Sequence, residues 1–334
     1  MNSIELKGAS QHNLKRIDVT IPLNQIVVVT GVSGSGKTTL IKDILHPALY
    51  RHINDYGEKP GDYEQLTGDL KSIQQVEMID QNPLGRSSRS NPITYIKAYD
   101  IIRKLFTKQK IAKVRGYKPK HFSFNVEGGR CETCKGEGYI TVEMQFLADV
   151  RLLCDECNGH RFKKEVLEVK FAGKNIFGVL DMSVDEAMVF FEKVPDVFRK
   201  IKPLQDVGLG YVKLGQSSST LSGGEAQRVK LASYLNKESS TKHILFVFDE
   251  PSTGLHFDDI KKLMKAFNAL VENGHSIIII EHNLDIIKCA DYIIDLGPEG
   301  GEAGGHLVFQ GKPEELVKVK ESYTGSYLKE KMKA

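Results

Sequence analysis

Four short apolar runs punctuate the chain: Ile26-Val27-Val28-Val29, Ile244-Leu245-Phe246-Val247-Phe248, Ile277-Ile278-Ile279-Ile280 and Tyr292-Ile293-Ile294, each bounded by polar residues or glycine. Runs of this length without alternation predict strands buried on both faces, as in a mostly parallel sheet covered by helices. Helical spacing between runs makes the predicted class α/β. A second pattern lies elsewhere: Ile140, Val142, Met144 and Phe146 alternate with Thr141, Glu143 and Gln145, which predicts a half-buried strand. The segment 184–202 reads as helix, and the tail from Lys312 as a charged helix with a loose end.

The runs are unevenly spaced, with a long gap between the first and the second. The gap predicts an inserted domain over about 82–243, between a first part of the core over 1–81 and a second part over 244–334. At 334 residues and 40% apolar composition the chain can bury a large core. A net charge of +3 does not by itself announce a nucleic-acid partner, so charge distribution carries that question. No apolar stretch approaches the roughly 20 residues of a spanning helix and no leader pattern opens the chain, so a cytoplasmic location is expected. Four of the five cysteines form two tight pairs and Cys289 stands apart, which suggests metal rather than a disulfide framework.

The first run leads into Gly31-Val32-Ser33-Gly34-Ser35-Gly36-Lys37-Thr38, which matches the phosphate-loop pattern G-x-x-x-x-G-K-[ST], and Thr39-Leu40-Ile41 can open a helix. The glycines let backbone N–H groups wrap phosphates at a helix N-terminus. Lys37 offers a point charge to the β- and γ-phosphates, and the Thr38 hydroxyl can reach Mg²⁺. A glycine-rich turn without ligand is the alternative, and the preceding strand argues against it. In Leu221-Ser222-Gly223-Gly224-Glu225-Ala226-Gln227-Arg228, Ser222 and Glu225 have the spacing of a capping box, so a helix should begin there with unpaired N–H groups at a glycine tip. Such a tip suits a γ-phosphate presented by another protein surface. The second run ends in Asp249-Glu250 and the third leads into Glu281-His282. Two acids at a strand end can serve Mg²⁺ and water activation, or only solvate a turn.

These motifs, in this order, resemble the ATP-binding cassette family. The resemblance implies ATP contacts from Gly31, Ser33, Gly34, Ser35, Gly36, Lys37, Thr38 and Thr39. It implies that Asp249 holds Mg²⁺ through water, that Glu250 orients or deprotonates the attacking water, and that His282 contacts the γ-phosphate. It also implies that Gln81 links the Mg²⁺ site to the inserted domain. In this family the phosphate loop of one cassette faces the signature of another, so Ser222, Gly223, Gly224 and Glu225 are expected to act in trans. One copy of each motif therefore requires pairing with itself or with a second cassette.

Cys131-Glu132-Thr133-Cys134 and Cys154-Asp155-Glu156-Cys157 form C-x2-C-x19-C-x2-C, the spacing of a four-thiolate zinc site, with a redox pair as the alternative. Four thiolates close the coordination shell, so the expected zinc is structural and clamps the base of a β-hairpin. Just upstream, residues 101–126 carry Arg103, Lys104, Lys108, Lys110, Lys113, Arg115, Lys118 and Lys120 without one acid. Such a block neutralises phosphates or forms a solvated helix face. Tyr117 and His121 can stack on bases or anchor the module, and Phe122 and Phe124 fit core packing.

Several further segments resemble UvrA, and specifically its second, C-terminal cassette. They include Gly85-Arg86-Ser87-Ser88-Arg89-Ser90-Asn91-Pro92, Arg115-Gly116-Tyr117-Lys118-Pro119, Gly128-Gly129-Arg130-Cys131-Glu132 and Asp206-Val207-Gly208-Leu209-Gly210-Tyr211. The resemblance runs over about 4–328. It implies a P-loop ABC-type ATPase core with an inserted helical signature domain carrying the zinc module over about 115–168. ATP, Mg²⁺ and Zn²⁺ are the expected cofactors. The implied function is ATP-dependent recognition of damaged duplex DNA in nucleotide excision repair, within the SOS response, by an ATPase that is not itself a nuclease. Phosphate contacts are implied for Arg86, Arg89, Lys118, His121 and Arg130, although the family has arginine where His121 stands. Ala148 stands where a proline is expected. UvrB is the partner in the full system, but its binding region belongs to the first cassette and nothing here resembles it. A fragment of a longer protein is therefore expected, the alternative being a stand-alone UvrA-like paralogue that binds a drug or a protein partner in drug tolerance.

Overall fold

The computed structural model describes residues 2–85, 89–142, 144, 149–235 and 242–332. The chain divides into two units, one made of Met1–Gln81 with Lys237–Ala334 and the other of Asn82–Asn236. The first unit begins with β1 (Ser3–Ala9), β2 (Ile17–Pro22), β3 (Ile26–Gly31), β4 (Gln65–Gly68) and β5 (Gln75–Ile79). The second unit holds β6 (Tyr139–Val142), β7 (Val150–Leu153), β8 (Lys170–Phe171) and β9 (Lys174–Asn175). The first unit then resumes with β10 (Ile244–Asp249), β11 (Ser276–Ile280), β12 (Tyr292–Gly297) and β13 (His306–Gly311).

The main sheet runs β13-β12-β3-β11-β10-β5, parallel throughout except for β13 against β12. The four apolar runs are its β3, β10, β11 and β12, and their side chains are buried on both faces, as a helix-covered parallel sheet demands. A smaller antiparallel sheet, β2-β1-β4, contributes Ile4, Leu6, Val19 and Ile21 to the same core as Leu40, Ile41, Ile44 and Leu45 behind the phosphate loop. Each such fully buried aliphatic side chain stabilises the fold by about 1.5–3 kcal/mol. Thr39–Leu45 is wound as a π-helix and continues into the α-helix His46–Asn54, which Asp55 ends with a left-handed backbone at φ 62°.

In the second unit the main helices are Ala98–Thr107, Val184–Phe190, Pro195–Asp206 and Gly223–Leu235. The segment 184–202 is thus two helices rather than one. Ser183 and Glu186 cap the first reciprocally, through Glu186 N to Ser183 Oγ at 3.2 Å and Ser183 N to Glu186 Oε2 at 2.8 Å. Pro195 then starts the second at the position where a missing N–H costs nothing. Over 312–332 the tail forms short helices Pro313–Leu316 and Tyr323–Lys331, with Leu316, Ser322 and Leu328 buried. Among the described residues, no helix is long and apolar enough to cross a membrane.

Candidate functional site

Parallel strands deliver their carboxyl ends to one edge of a sheet, which is where such folds hold ligands. Here β3 ends in the phosphate loop, β10 in Asp249 and Glu250, β11 in Glu281 and His282, and the chain beyond β5 reaches Gln81. Gly31, at φ 128°, leaves no room for a side chain, because a Cβ would sit 1.9 Å from the Leu296 carbonyl oxygen on β12. Gly36, at φ 101°, is similarly closed by Leu14 at 2.6 Å. Both positions require glycine, and the loop packs tightly against Leu296 and Leu14. Lys37 is buried and donates from Nζ to the carbonyls of Val32 at 2.7 Å and Gly31 at 3.1 Å. Burial pushes its pKa down, against the opposing pull of Glu250 and Asp295. Ser35 is fully buried, and its Oγ lacks a hydrogen-bond partner. Ser33 and Thr38 are exposed, as a ligand-facing edge requires.

Glu250 adopts a left-handed backbone at φ 44°, a conformation that costs energy for a non-glycine residue and clusters at functional sites. Its N–H donates to the Ile280 carbonyl at 2.9 Å, while its own carbonyl accepts from Gln81 Nε2 at 3.3 Å and Thr253 Oγ1 at 3.0 Å. His282 Nε2 lies 3.7 Å from Glu250 Oε1. Burial, and next the charge of Lys37, hold the His282 pKa below its ordinary 6.5, so the ring is neutral at pH 7. Gln81, Glu250, His282 and Lys37 are therefore within one electrostatic neighbourhood, as the motif order implied.

Two residues without an assigned role also belong to this edge. Glu281 is 2% exposed, and its carboxylate accepts from Ser252 N at 2.9 Å, His282 N at 2.7 Å and Asn283 N at 2.9 Å. It ties the turn after Glu250 to the turn that carries His282. A charge placed directly after four buried isoleucines was the available signal. Lys42, from the π-helical turn, places Nζ 2.5 Å from Asp249 Oδ2. Nothing in the local sequence marks that pair, which spans more than 200 positions.

In the second unit the four paired cysteines are buried, free of disulfides, and have their sulfurs within 4.8 Å of one another. Cys131 Sγ is 3.9 Å from Cys154 Sγ and Cys134 Sγ is 3.6 Å from Cys157 Sγ. A tetrahedron with Zn–S bonds of about 2.3 Å has sulfur–sulfur edges of about 3.8 Å, so the donor set fits Zn²⁺. After the second cysteine of each pair the backbone turns left-handed for two residues, Lys135-Gly136 and Asn158-Gly159. This repeated knuckle lets Gly138 N donate to Cys134 Sγ at 3.2 Å. The module's packing is aromatic: Phe122, Phe124 and Phe162 are fully buried, and the Arg161 guanidinium lies 5.5 Å from the Phe124 ring centre.

The hairpin departs from the expected half-burial. β6 and β7 pair antiparallel, with Ile140 opposite Leu152 and Val142 opposite Val150, yet every residue of both strands is exposed. Alternation divides the hairpin into an apolar and a mixed face, but neither face is buried. Glu143, Gln145, Phe146 and Ala148 lie outside the described residues.

The chain shares 55% identity over 329 residues with UvrABC system protein A of Streptococcus pyogenes serotype M1, covering 98% of this chain and 35% of that protein. It shares 53% over 328 residues with UvrABC system protein A of Clostridium perfringens, again 98% of this chain and 35% of that protein. The crystal structure of UvrA2 from Deinococcus radiodurans aligns with a TM-score of 0.90 at 45% identity, over 98% of this chain and 39% of that one. Along nearly its whole length the chain is similar to one section of these UvrA proteins. It spans about a third of the length of the curated relatives it matches. No family model matches.

The helix Gly223–Leu235 starts as its capping-box spacing predicts. Ser222 N donates to Glu225 Oε2 at 2.8 Å and Glu225 N to Ser222 Oγ at 3.2 Å. The Tyr211 hydroxyl adds a bond to Glu225 Oε1 at 2.7 Å, and Gly223 begins the helix with Gly224 buried behind it. The UvrA-like basic residues have different surroundings. Arg86 lies outside the described residues. Arg89 Nε is 3.8 Å from Glu137 Oε1. Arg130 is 9% exposed, 3.4 Å from Glu127 and 3.9 Å from Glu132, and donates to the Asn125 carbonyl. Its side chain is largely sheltered, while its partners Glu127 and Glu132 are exposed. Lys118 is exposed, and its backbone N and carbonyl O lie 2.9 and 3.2 Å from His121 Nδ1. The His121 ring stacks on Tyr117 with centroids 4.9 Å apart. Of the acid-free basic stretch, Arg103 pairs with Asp100 and Arg115 with Glu168, while Lys104, Lys108, Lys110, Lys113, Lys118 and Lys120 are exposed.

Proposed function

We propose that this chain is the ATP-binding and DNA-binding section of a UvrA-type protein that recognises damaged duplex DNA for nucleotide excision repair, with ATP state governing how it engages DNA. The observation that carries this reading is the convergence at one sheet edge of the phosphate loop, Gln81, Asp249, Glu250 and His282, in a chain 55% identical to UvrABC system protein A. In this reading Gly31, Ser33, Gly34, Ser35, Gly36, Lys37, Thr38 and Thr39 hold the nucleotide, and Thr38 and Asp249 hold Mg²⁺. Bound Mg²⁺ offsets phosphate charge. Glu250 takes the proton of the attacking water and His282, as a neutral ring, hydrogen-bonds at the γ-phosphate position. Ser222, Gly223, Gly224 and Glu225 present a helix N-terminus to the nucleotide of a second cassette, supplied by another copy or by the rest of a longer chain.

Structural Zn²⁺ on Cys131, Cys134, Cys154 and Cys157 would clamp the base of the hairpin. Lys118 and the other exposed lysines carry the phosphate contacts, with Arg89 and His121 at their margin. UvrB is the downstream partner of the full system. The test is duplex affinity with and without one lesion, across a salt series. The reading expects log affinity to fall with log salt by about 0.9 per phosphate contact and to rise with the lesion. Equal binding to damaged and intact duplex removes damage recognition. Drug binding without any duplex affinity favours the paralogue reading instead.

A further inference from the structure

Lys42 is the first lysine after the phosphate loop, and its position sets it apart from Lys37. Lys37 turns back on its own loop, donating to Gly31 and Val32. Lys42 lies one helical turn beyond Thr38, within the π-helical stretch Thr39–Leu45, and spans to β10, where its Nζ sits 2.5 Å from Asp249 Oδ2. Widened turns of this kind are rare and recur at functional sites, because the extra residue re-aims the side chains that follow it. Both partners are mostly sheltered, with side-chain exposures of 30% for Lys42 and 23% for Asp249, so solvent screens the pair only in part.

On the reading that this edge binds Mg·ATP, Asp249 is the carboxylate that receives the metal's hydration shell, and it already holds a cation. We propose that Lys42 is a resident counter-ion of Asp249 which Mg²⁺ must displace when nucleotide enters, so that Lys42 sets the concentration of Mg²⁺ the site needs. An ammonium and a divalent ion cannot share one carboxylate at hydrogen-bond range without strong mutual repulsion. The four-carbon stem of Lys42 is long and flexible, so the ammonium can swing off Asp249 without moving the helix backbone. Lys42 is a positioning residue in this scheme: it keeps Asp249 paired and oriented at the end of β10 while the site lacks metal, and it raises the Mg²⁺ threshold for closing the site.

The test is equilibrium binding of a non-hydrolysable ATP analogue to the full chain across a free-Mg²⁺ series, for the native protein, Lys42→Met and Lys42→Arg. The inference expects half-saturating Mg²⁺ to fall roughly three- to fivefold in Lys42→Met, the size of a partly sheltered ion pair, and to stay at the native value in Lys42→Arg. Should Lys42→Met fail to fold, Lys42→Gln makes the same comparison with a polar side chain. Native-like Mg²⁺ dependence in the neutral variant overturns the inference while leaving nucleotide binding intact, and so does a higher Mg²⁺ requirement, which would make Lys42 a helper rather than a competitor. If the native protein binds no analogue at saturating Mg²⁺, the nucleotide reading itself falls and takes the inference with it.

Discussion

The nucleotide core and the zinc module solve the same problem by opposite means. In the core, β3, β10 and β11 are buried on both faces, and the functional side chains sit at strand ends that the sheet positions in advance. In the module, neither face of β6 and β7 is fully buried, and order comes from four sulfurs brought within 4.8 Å and from three buried phenylalanines. A hairpin with so little apolar burial is marginal in water, so it needs a staple at its base. The difference teaches where each region is vulnerable: the core to loss of packing volume, the module to loss of a ligand.

The largest effect should come from the metal. Cys154→Ser is expected to abolish stoichiometric zinc and to expose the module to protease, since structural zinc contributes on the order of 10 kcal/mol to small folds. ATP binding should persist, because the core owes nothing to the thiolates. Retained zinc in that variant contradicts the four-thiolate site. Next in size, Glu250→Gln should lower ATP turnover by about 100- to 10,000-fold with ATP affinity preserved, as measured by phosphate release and equilibrium binding. Unchanged turnover removes Glu250 as the base.

Packing separates the two regions more finely. Ile279→Ala, in the fully buried β11, should cost about 2–5 kcal/mol in urea denaturation. Ile140→Ser, on the exposed hairpin, should change stability by no more than about 0.5 kcal/mol. Equal costs erase the contrast. The smallest effect concerns pH. Because the folded His282 pKa lies below 6.5, the unfolded chain takes up the proton first, so the contribution of a neutral His282 to stability is complete above pH 6.5 and is lost as pH falls through the folded value. An NMR titration of the ring should give a midpoint below 6.5, and a midpoint above it reverses the sign.

The β-sheet core was readable in the sequence because its strands are continuous apolar runs, and a run buried on both faces needs no partner information to be recognised. The phosphate loop was readable for a related reason: its glycines, Lys37 and Thr38 are consecutive, so spacing alone specifies them. The paired cysteines likewise carry their geometry in their spacing. What escaped was long-range. The Lys42–Asp249 pair joins a helix to a distant strand, and only the fold brings them together. Glu281 looked like an ordinary acid until its three backbone donors were in place. The hairpin alternation announced two faces but contained no information on whether anything covers one of them. Arg130 stands in a glycine-rich stretch, and only the fold shows its side chain sheltered and within 4 Å of Glu127 and Glu132.

The most direct test of the whole account is to measure duplex DNA affinity with and without ATP for the native chain and for Lys37→Ala. The account predicts that ATP changes the affinity of the native protein and leaves that of Lys37→Ala unmoved. DNA affinity indifferent to ATP in the native chain, or an undiminished ATP response without Lys37, would contradict it.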